Sequence, residues 1–154
     1  MKRIRITKEF GFEMAHALKN HEGPCKNIHG HSYHLSVTVL GSLNTEEGSS
    51  EQGMVMDFGE LKNIVNGRIV NWLDHALVLN EEDAPLHLKD QSLFFGKLVM
   101  VSYQPTCENL LLDFSEKLRE SLPNKVKLIR LLLRETPSSY AEWCAEDNEY
   151  PNRA

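Results

Sequence analysis

Two stretches of alternation constrain this chain most. In RIRITKEFGFEMAH, Ile4, Ile6, Phe10, Phe12 and Met14 take even positions, against Arg3, Arg5, Glu9 and Glu13 on odd ones. In residues 31–40, Tyr33, Leu35, Val37 and Val39 oppose Ser32, His34, Ser36 and Thr38. A period of two belongs to a strand with one face buried and the other in water. The polar loop SLNTEEGSSEQG then returns the chain.

Helical spacing follows. Asp57, with Glu60 three residues later, has the form of a capping box, the aspartate accepting from the first free amides. Behind it Phe58, Leu61, Ile64, Val65, Ile69 and Trp72 repeat as one helical stripe. A second helix opens at PTCEN with Thr106 as cap. Its stripe is Leu110, Leu111, Phe114 and Leu118, and Pro123 lies beyond its end. Residues 126–136, VKLIRLLLRET, read as a strand, and Ser139–Trp143 closes a hairpin with it. The order of two strands, two helices and two strands predicts an α+β domain, an antiparallel sheet with both helices on one face. Residues 81–104 read as a lid, an extra hairpin or a surface excursion.

At 154 residues the chain fits one domain, 1–154, able to bury a core without staples. A net charge of −5 argues against a nucleic-acid or anionic-membrane partner, which calls for basic surface. MKRIRITKEFGF carries the charges of an export signal without an apolar segment behind them. Cys25, Cys107 and Cys144 show no pairing pattern and read as free thiols in a reducing cytoplasm.

Strand parity organises the histidines. If strand geometry extends back through IHGH, His29 and His31 share the face of Tyr33, Leu35 and Val37, while His34 faces away. His16 shares the parity of Phe12 and Met14. Three imidazoles then converge from two strands, and Gly30 permits close backbone approach. Three neutral imidazoles around an open fourth position form the arrangement of a catalytic zinc. Taken singly, each histidine is better read as hydrogen-bonded core; HGH with a third of matching parity favours metal. His21 and His87 lie outside the pattern.

Cys25 lies four residues before His29, where a thiolate can serve as base or nucleophile, or a thiol can simply fill space in a loop. Cys107 and Cys144 have no such neighbours. Asp74 beside His75 can fix a tautomer and tune a proton shuttle, although such pairs also arise by chance. Glu135 ends an apolar row of Ile129, Leu131 and Leu133. It must reach solvent or meet a donor-rich partner, such as a flat ligand with adjacent N–H groups. Glu108 sits in the first turn of its helix, where the helix dipole alone favours it.

The words FEMAH (12–16), CKNIHGH (25–31), GMVMDFGELK (53–62), LDHALVLN (73–80), PTCENL (105–110) and LRET (133–136) span most of the chain. Together they resemble the 6-pyruvoyl-tetrahydropterin synthases and 6-carboxytetrahydropterin synthases. The resemblance implies the tunnelling fold, with subunit sheets joined into barrels, usually a homohexamer with its active site at a subunit interface. It implies Zn2+ on His16, His29 and His31. It makes Cys25, Asp74 and His75 the catalytic set, with the cysteine facing a neighbouring subunit's Asp–His pair. Glu135 becomes the pterin anchor, with Thr106 and Glu108 nearby. The implied enzyme is a zinc lyase acting on 7,8-dihydroneopterin triphosphate. In one branch the pyruvoyl side chain is kept. In the other it is cleaved, giving 6-carboxy-5,6,7,8-tetrahydropterin, triphosphate and acetaldehyde on the queuosine pathway, and the three-residue gap in CKNIHGH resembles that branch. Residues 81–104 are longer than the family's usual link and mark an insertion at the pocket rim. A non-catalytic zinc-binding module would need the three histidines and no role for Cys25 or His75. A zinc hydrolase of unrelated substrate would not need Glu135.

Overall fold

A computed structural model describes residues 2–83 and 96–148. The two alternating stretches form long strands, β1 (Arg3–His16) and β2 (His29–Ser42), paired antiparallel along their whole length. Phe12, Met14, Tyr33, Leu35, Val37 and Val39 are buried on one face. On the other, polar side chains pair across the ladder: Thr7 with Thr38 at 2.8 Å, and Ser32 donating to Glu13 at 2.8 Å.

Beyond β2 the sheet continues antiparallel through β5 (Val126–Thr136) and β6 (Ser139–Cys144). On the other flank it gains two short strands, β3 (Ala76–Asn80) and β4 (Leu98–Val101), which run parallel to β1 and to each other. The order is β4-β3-β1-β2-β5-β6. All five residues of β3 are buried. An apolar run covered on both sides carries no alternation, and so lacks the signature that announces β1 and β2.

β5 departs from the expected row. Thr38 pairs with Arg130 and Val39 with Leu128, so Ile129 is an extra residue in a bulge. The bulge switches parity: Val126, Leu128, Leu131 and Leu133 are all buried, whereas Ile129 leaves the row. A second irregularity leaves Glu135 unpaired toward β6, between Arg134 opposite Tyr140 and Thr136 opposite Ser139.

Helix α1 (Phe58–Val65) starts where expected, with Asp57 accepting from Gly59 and Glu60 amides. The reciprocal half of the box is not made; Glu60 instead pairs with Lys125 at 3.0 Å. Phe58 is 49% exposed, outside the stripe, with Lys8 over its ring. After α1 come a π-helical turn (Asn66–Val70) and a short α2 (Asn71–Leu73). Leu61, Val65, Ile69 and Leu73 are fully buried. Their spacing of four exceeds the 3.6 of an α-helix, and the wider π turn takes up the drift. Helix α3 (Cys107–Ser121) buries Leu110, Leu111, Phe114 and Leu118, and Thr106 caps it by accepting from the Asn109 amide. The short α4 (Ala145–Asn148) follows β6. The core lies between the helices and one face of the curled sheet. No helix among the described residues is long and apolar enough to cross a membrane. Residues 84–95, half of the expected insertion at 81–104 and His87 with it, lie outside the described residues; within the other half, Leu98–Val101 is β4.

Candidate metal centre

One end of the sheet gathers the chemistry. His16 closes β1 and His29 opens β2, and the two are partners in the ladder; Met14 opposes His31. All three imidazoles point to the core face, as parity requires, and their ligating nitrogens lie within 4.8 Å of one another. His34 is exposed on the opposite face. Gly30 fits the close approach: a Cβ there would meet the Met14 carbonyl at 3.2 Å.

Backbone carbonyls orient two of the rings. His16 is 2% exposed, and its Nδ1 donates to the Pro105 carbonyl at 2.7 Å. A carbonyl only accepts, so the proton is on Nδ1 and Nε2 presents a lone pair. That Nε2 is buried without a hydrogen-bond partner. Burial, above all, holds the His16 pKa below its ordinary value, and the neighbouring imidazoles add to the effect. His29 Nδ1 likewise donates to the carbonyl of Asn27, two residues back at the C-cap of the Pro24–Lys26 turn, at 2.8 Å. Two rings oriented by carbonyls and an unpartnered buried nitrogen are the properties of a metal site, and the donor set fits an ion.

The bulged Glu135 turns into the same space. Its Oε1 accepts from the Tyr33 hydroxyl at 2.9 Å and lies 3.6 Å from Nε2 of both His16 and His31. Tyr33 is fully buried and stacks on Phe12, with centroids 5.3 Å apart. Burial, then the Glu135 charge, push the Tyr33 pKa upward, so the phenol stays a donor. Sequence reasoning missed Tyr33, which looks like one more member of an apolar row. The Asn27 and Pro105 carbonyls leave no side-chain signature at all.

Two open clefts flank the first residues of β2, each of about 600 Å³. His31 lines both. One also holds His75 and Glu13; the other holds Glu135, Arg134 and Thr136. Asp74 Oδ1 accepts from the Glu13 amide at 2.9 Å, and its other oxygen is 3.9 Å from His75 Nε2, beyond hydrogen-bond range. Lys97 binds the Asn71 and Asp74 carbonyls at 2.6 and 3.0 Å. His75 has φ 58°, the one positive φ outside glycine among the described residues, and its side chain is 79% exposed. The Cys25 thiol, half-buried, has no hydrogen-bond partner among the described residues. Thr106 spends its hydroxyl on the α3 cap and Glu108 is exposed beside it, just past Pro105. Cys107 is buried against the Leu133 carbonyl, and burial raises its pKa to about 11. His21 accepts from the Gly23 amide.

The family model for 6-pyruvoyl tetrahydropterin synthase matches residues 5–146. A 6-carboxy-5,6,7,8-tetrahydropterin synthase of Haemophilus influenzae is 35% identical, covering 91% of this chain and 98% of the relative. Another, of Aquifex aeolicus, is 36% identical, covering 92% and 98%. Among solved structures, an uncharacterized protein of Wolinella succinogenes aligns with TM-score 0.75 and 24% identity, covering 94% and 99%. The 6-pyruvoyl tetrahydropterin synthase of Caenorhabditis elegans aligns with TM-score 0.67 and 23% identity, covering 94% and 96%.

Proposed function

The chain belongs to the 6-pyruvoyl tetrahydropterin synthase family, as a lyase-type enzyme with the tunnelling fold, and we propose that it is a zinc-dependent 6-carboxy-5,6,7,8-tetrahydropterin synthase. In this reading it converts 7,8-dihydroneopterin triphosphate, releasing triphosphate and acetaldehyde, as a step toward 7-deazapurines such as queuosine. The observation that carries it is the placement of Glu135 beside the three-histidine cluster, at an open cleft. The names of the curated relatives favour the carboxy product.

Each residue has a role its surroundings support. His16, His29 and His31 would hold the zinc, with two tautomers set by carbonyls. Bound zinc supplies Lewis acidity toward the substrate's side-chain hydroxyls, which lowers the cost of removing adjacent protons. Glu135 accepts N–H groups of the pterin ring, in the cleft it shares with Thr136 and Arg134. Thr106 and Glu108, just past Pro105, would stand near the pterin in this reading. Cys25, as thiolate, takes a proton from the side-chain carbon. His75 relays a second proton, with the Asp74 carboxylate 3.9 Å from its ring. A homohexamer supplies Cys25 with the Asp–His pair of a second subunit, which is consistent with a thiol that has no hydrogen-bond partner among the described residues.

Incubation with 7,8-dihydroneopterin triphosphate, followed by mass spectrometry, tests the reading. The 6-carboxy pterin together with acetaldehyde is expected. Triphosphate release with the pyruvoyl side chain retained would move the chain to the other branch. Absence of turnover, with metal bound, would leave a zinc-binding module.

A further inference from the structure

The turn that carries His75 is held from outside. Asp74 has φ −60° and ψ 127°, and His75 follows with φ 58°. Those are the angles of a type II turn, whose second central position ordinarily goes to glycine or asparagine. A type II turn differs from the commoner type I by a flip of the peptide group between its two central residues, here Asp74 and His75. Flipped, that peptide would return His75 to a negative φ and carry its ring in a different direction. Two contacts fix the peptide as it stands. The His75 N–H donates to the Glu13 carbonyl at 2.7 Å, and the Asp74 carbonyl accepts from Lys97 Nζ at 3.0 Å. Both ends of one peptide group are bonded, and a flip would break both bonds.

Lys97 is itself well placed to hold. The Leu77 N–H donates to its carbonyl at 2.9 Å, and the next residue, Leu98, pairs with Leu77 as β4 begins. Its ammonium also donates to the Asn71 carbonyl at 2.6 Å. Gly96, one residue earlier, lines the cleft with His75. A lysine at a helix end commonly does no more than bond the last carbonyls. Here the second carbonyl belongs to the peptide that sets the φ of a residue in the cleft. We propose that Lys97 is a positioning residue, which locks the Asp74–His75 peptide and so aims His75 for the proton relay assigned to it above. A strained conformation of this kind persists where its surroundings over-determine it, and Lys97 with Glu13 supplies that constraint. The segment 81–104 then does more than rim the pocket, because its returning strand delivers the ammonium.

The test uses zinc-loaded, full-length protein and 7,8-dihydroneopterin triphosphate. Lys97→Met keeps the stem and removes the donor. Amide hydrogen exchange at His75, read by NMR, should quicken at least about fivefold, the scale of one lost hydrogen bond. The kcat should fall at least about tenfold, as for a misaimed catalytic group, with KM and zinc content unchanged. Lys97→Arg, which still donates, should recover most of the loss. Lys97→Met added to His75→Asn, which accepts a left-handed backbone but relays no proton, should lower kcat no further. An equal loss in both backgrounds would make Lys97 a helix-end brace and overturn the positioning role, as would unchanged exchange at His75. Wild-type protein without turnover overturns the enzyme reading itself, and the relay role of Lys97 with it. If circular dichroism shows Lys97→Met unfolded, Lys97→Gln, which lacks the charge and falls short of the carbonyls, gives the same readouts.

Discussion

His16 pairs with His29 across the β1–β2 ladder, and their ring centroids stand 4.6 Å apart. His31, diagonal to His16, completes the set at 5.3 and 5.0 Å from the other two. Without an ion these rings crowd lone pairs into a half-dry space, so the purified protein should carry one zinc per chain. A His29→Ala, His31→Ala double variant keeps the fold, since both side chains are only half-buried, and loses the metal on elemental analysis. Full metal content in that variant would remove the site from these residues.

The histidine cluster was legible because strand parity is a geometric rule: two long alternating strands fix which side chains share a face, and His16, His29 and His31 obey it. The β5–β6 hairpin and both helix caps were legible for a similar local reason. What was not legible depends on tertiary contact. Leu77 and Val78 lie in a short run buried on both faces, so β3 shows no period, and its parallel pairing to β1 has no turn to announce it. Ile129 looks like one of a row with Leu131 and Leu133 until a bulge removes it. Tyr33 reads as core until Glu135 is placed above its hydroxyl.

Cys25 is expected to act in chemistry and not in metal binding. Three imidazoles already supply the usual protein share of a catalytic zinc, and the thiol stands outside the cluster. Cys25→Ala should retain one zinc and lose turnover by a factor of at least roughly 100, the scale of a lost general base. Near-normal kcat would return the side chain to a space-filling role in its loop.

His75 holds a left-handed backbone, φ 58°, while its ring is mostly in solvent. Such a conformation costs an L-residue about 1–2 kcal/mol, and glycine adopts it freely. His75→Gly should therefore raise the denaturant midpoint, or leave it level where the glycine's added unfolded-state freedom offsets the relief. Turnover should fall with it, since the proposed proton relay is gone. A variant markedly less stable than wild type would mean that the ring makes a structural contact.

Acid should destabilise the metal-free protein through His16. Burial holds its folded pKa below the ordinary 6.5. As pH falls through about 6.5 the unfolded chain takes a proton that the folded chain refuses, so stability declines. The decline ends once pH drops below the folded value. Urea midpoints of metal-free protein between pH 8 and 5 should show this loss, and it should be smaller in His16→Gln. A wild-type midpoint that is flat or rises toward acid would contradict the assignment of His16 as a buried neutral ring.

Glu135→Gln separates recognition of the ring from possession of the metal. The substitution keeps shape but exchanges one acceptor for a donor, which then faces the pterin's own N–H. Charge-assisted bonds of this kind contribute about 1.5–3 kcal/mol each, and each 1.4 kcal/mol is about a decade in affinity. Pterin binding, read by ring fluorescence, should weaken at least about tenfold, while zinc at saturating concentration still binds one per chain through the three imidazoles. The Tyr33 hydroxyl, which donates to Glu135 at 2.9 Å, can donate equally to the glutamine carbonyl, so the fold should not suffer. Unchanged pterin affinity in Glu135→Gln would assign ring recognition to other residues of the cleft, with Arg134 and Thr136 the next to be substituted.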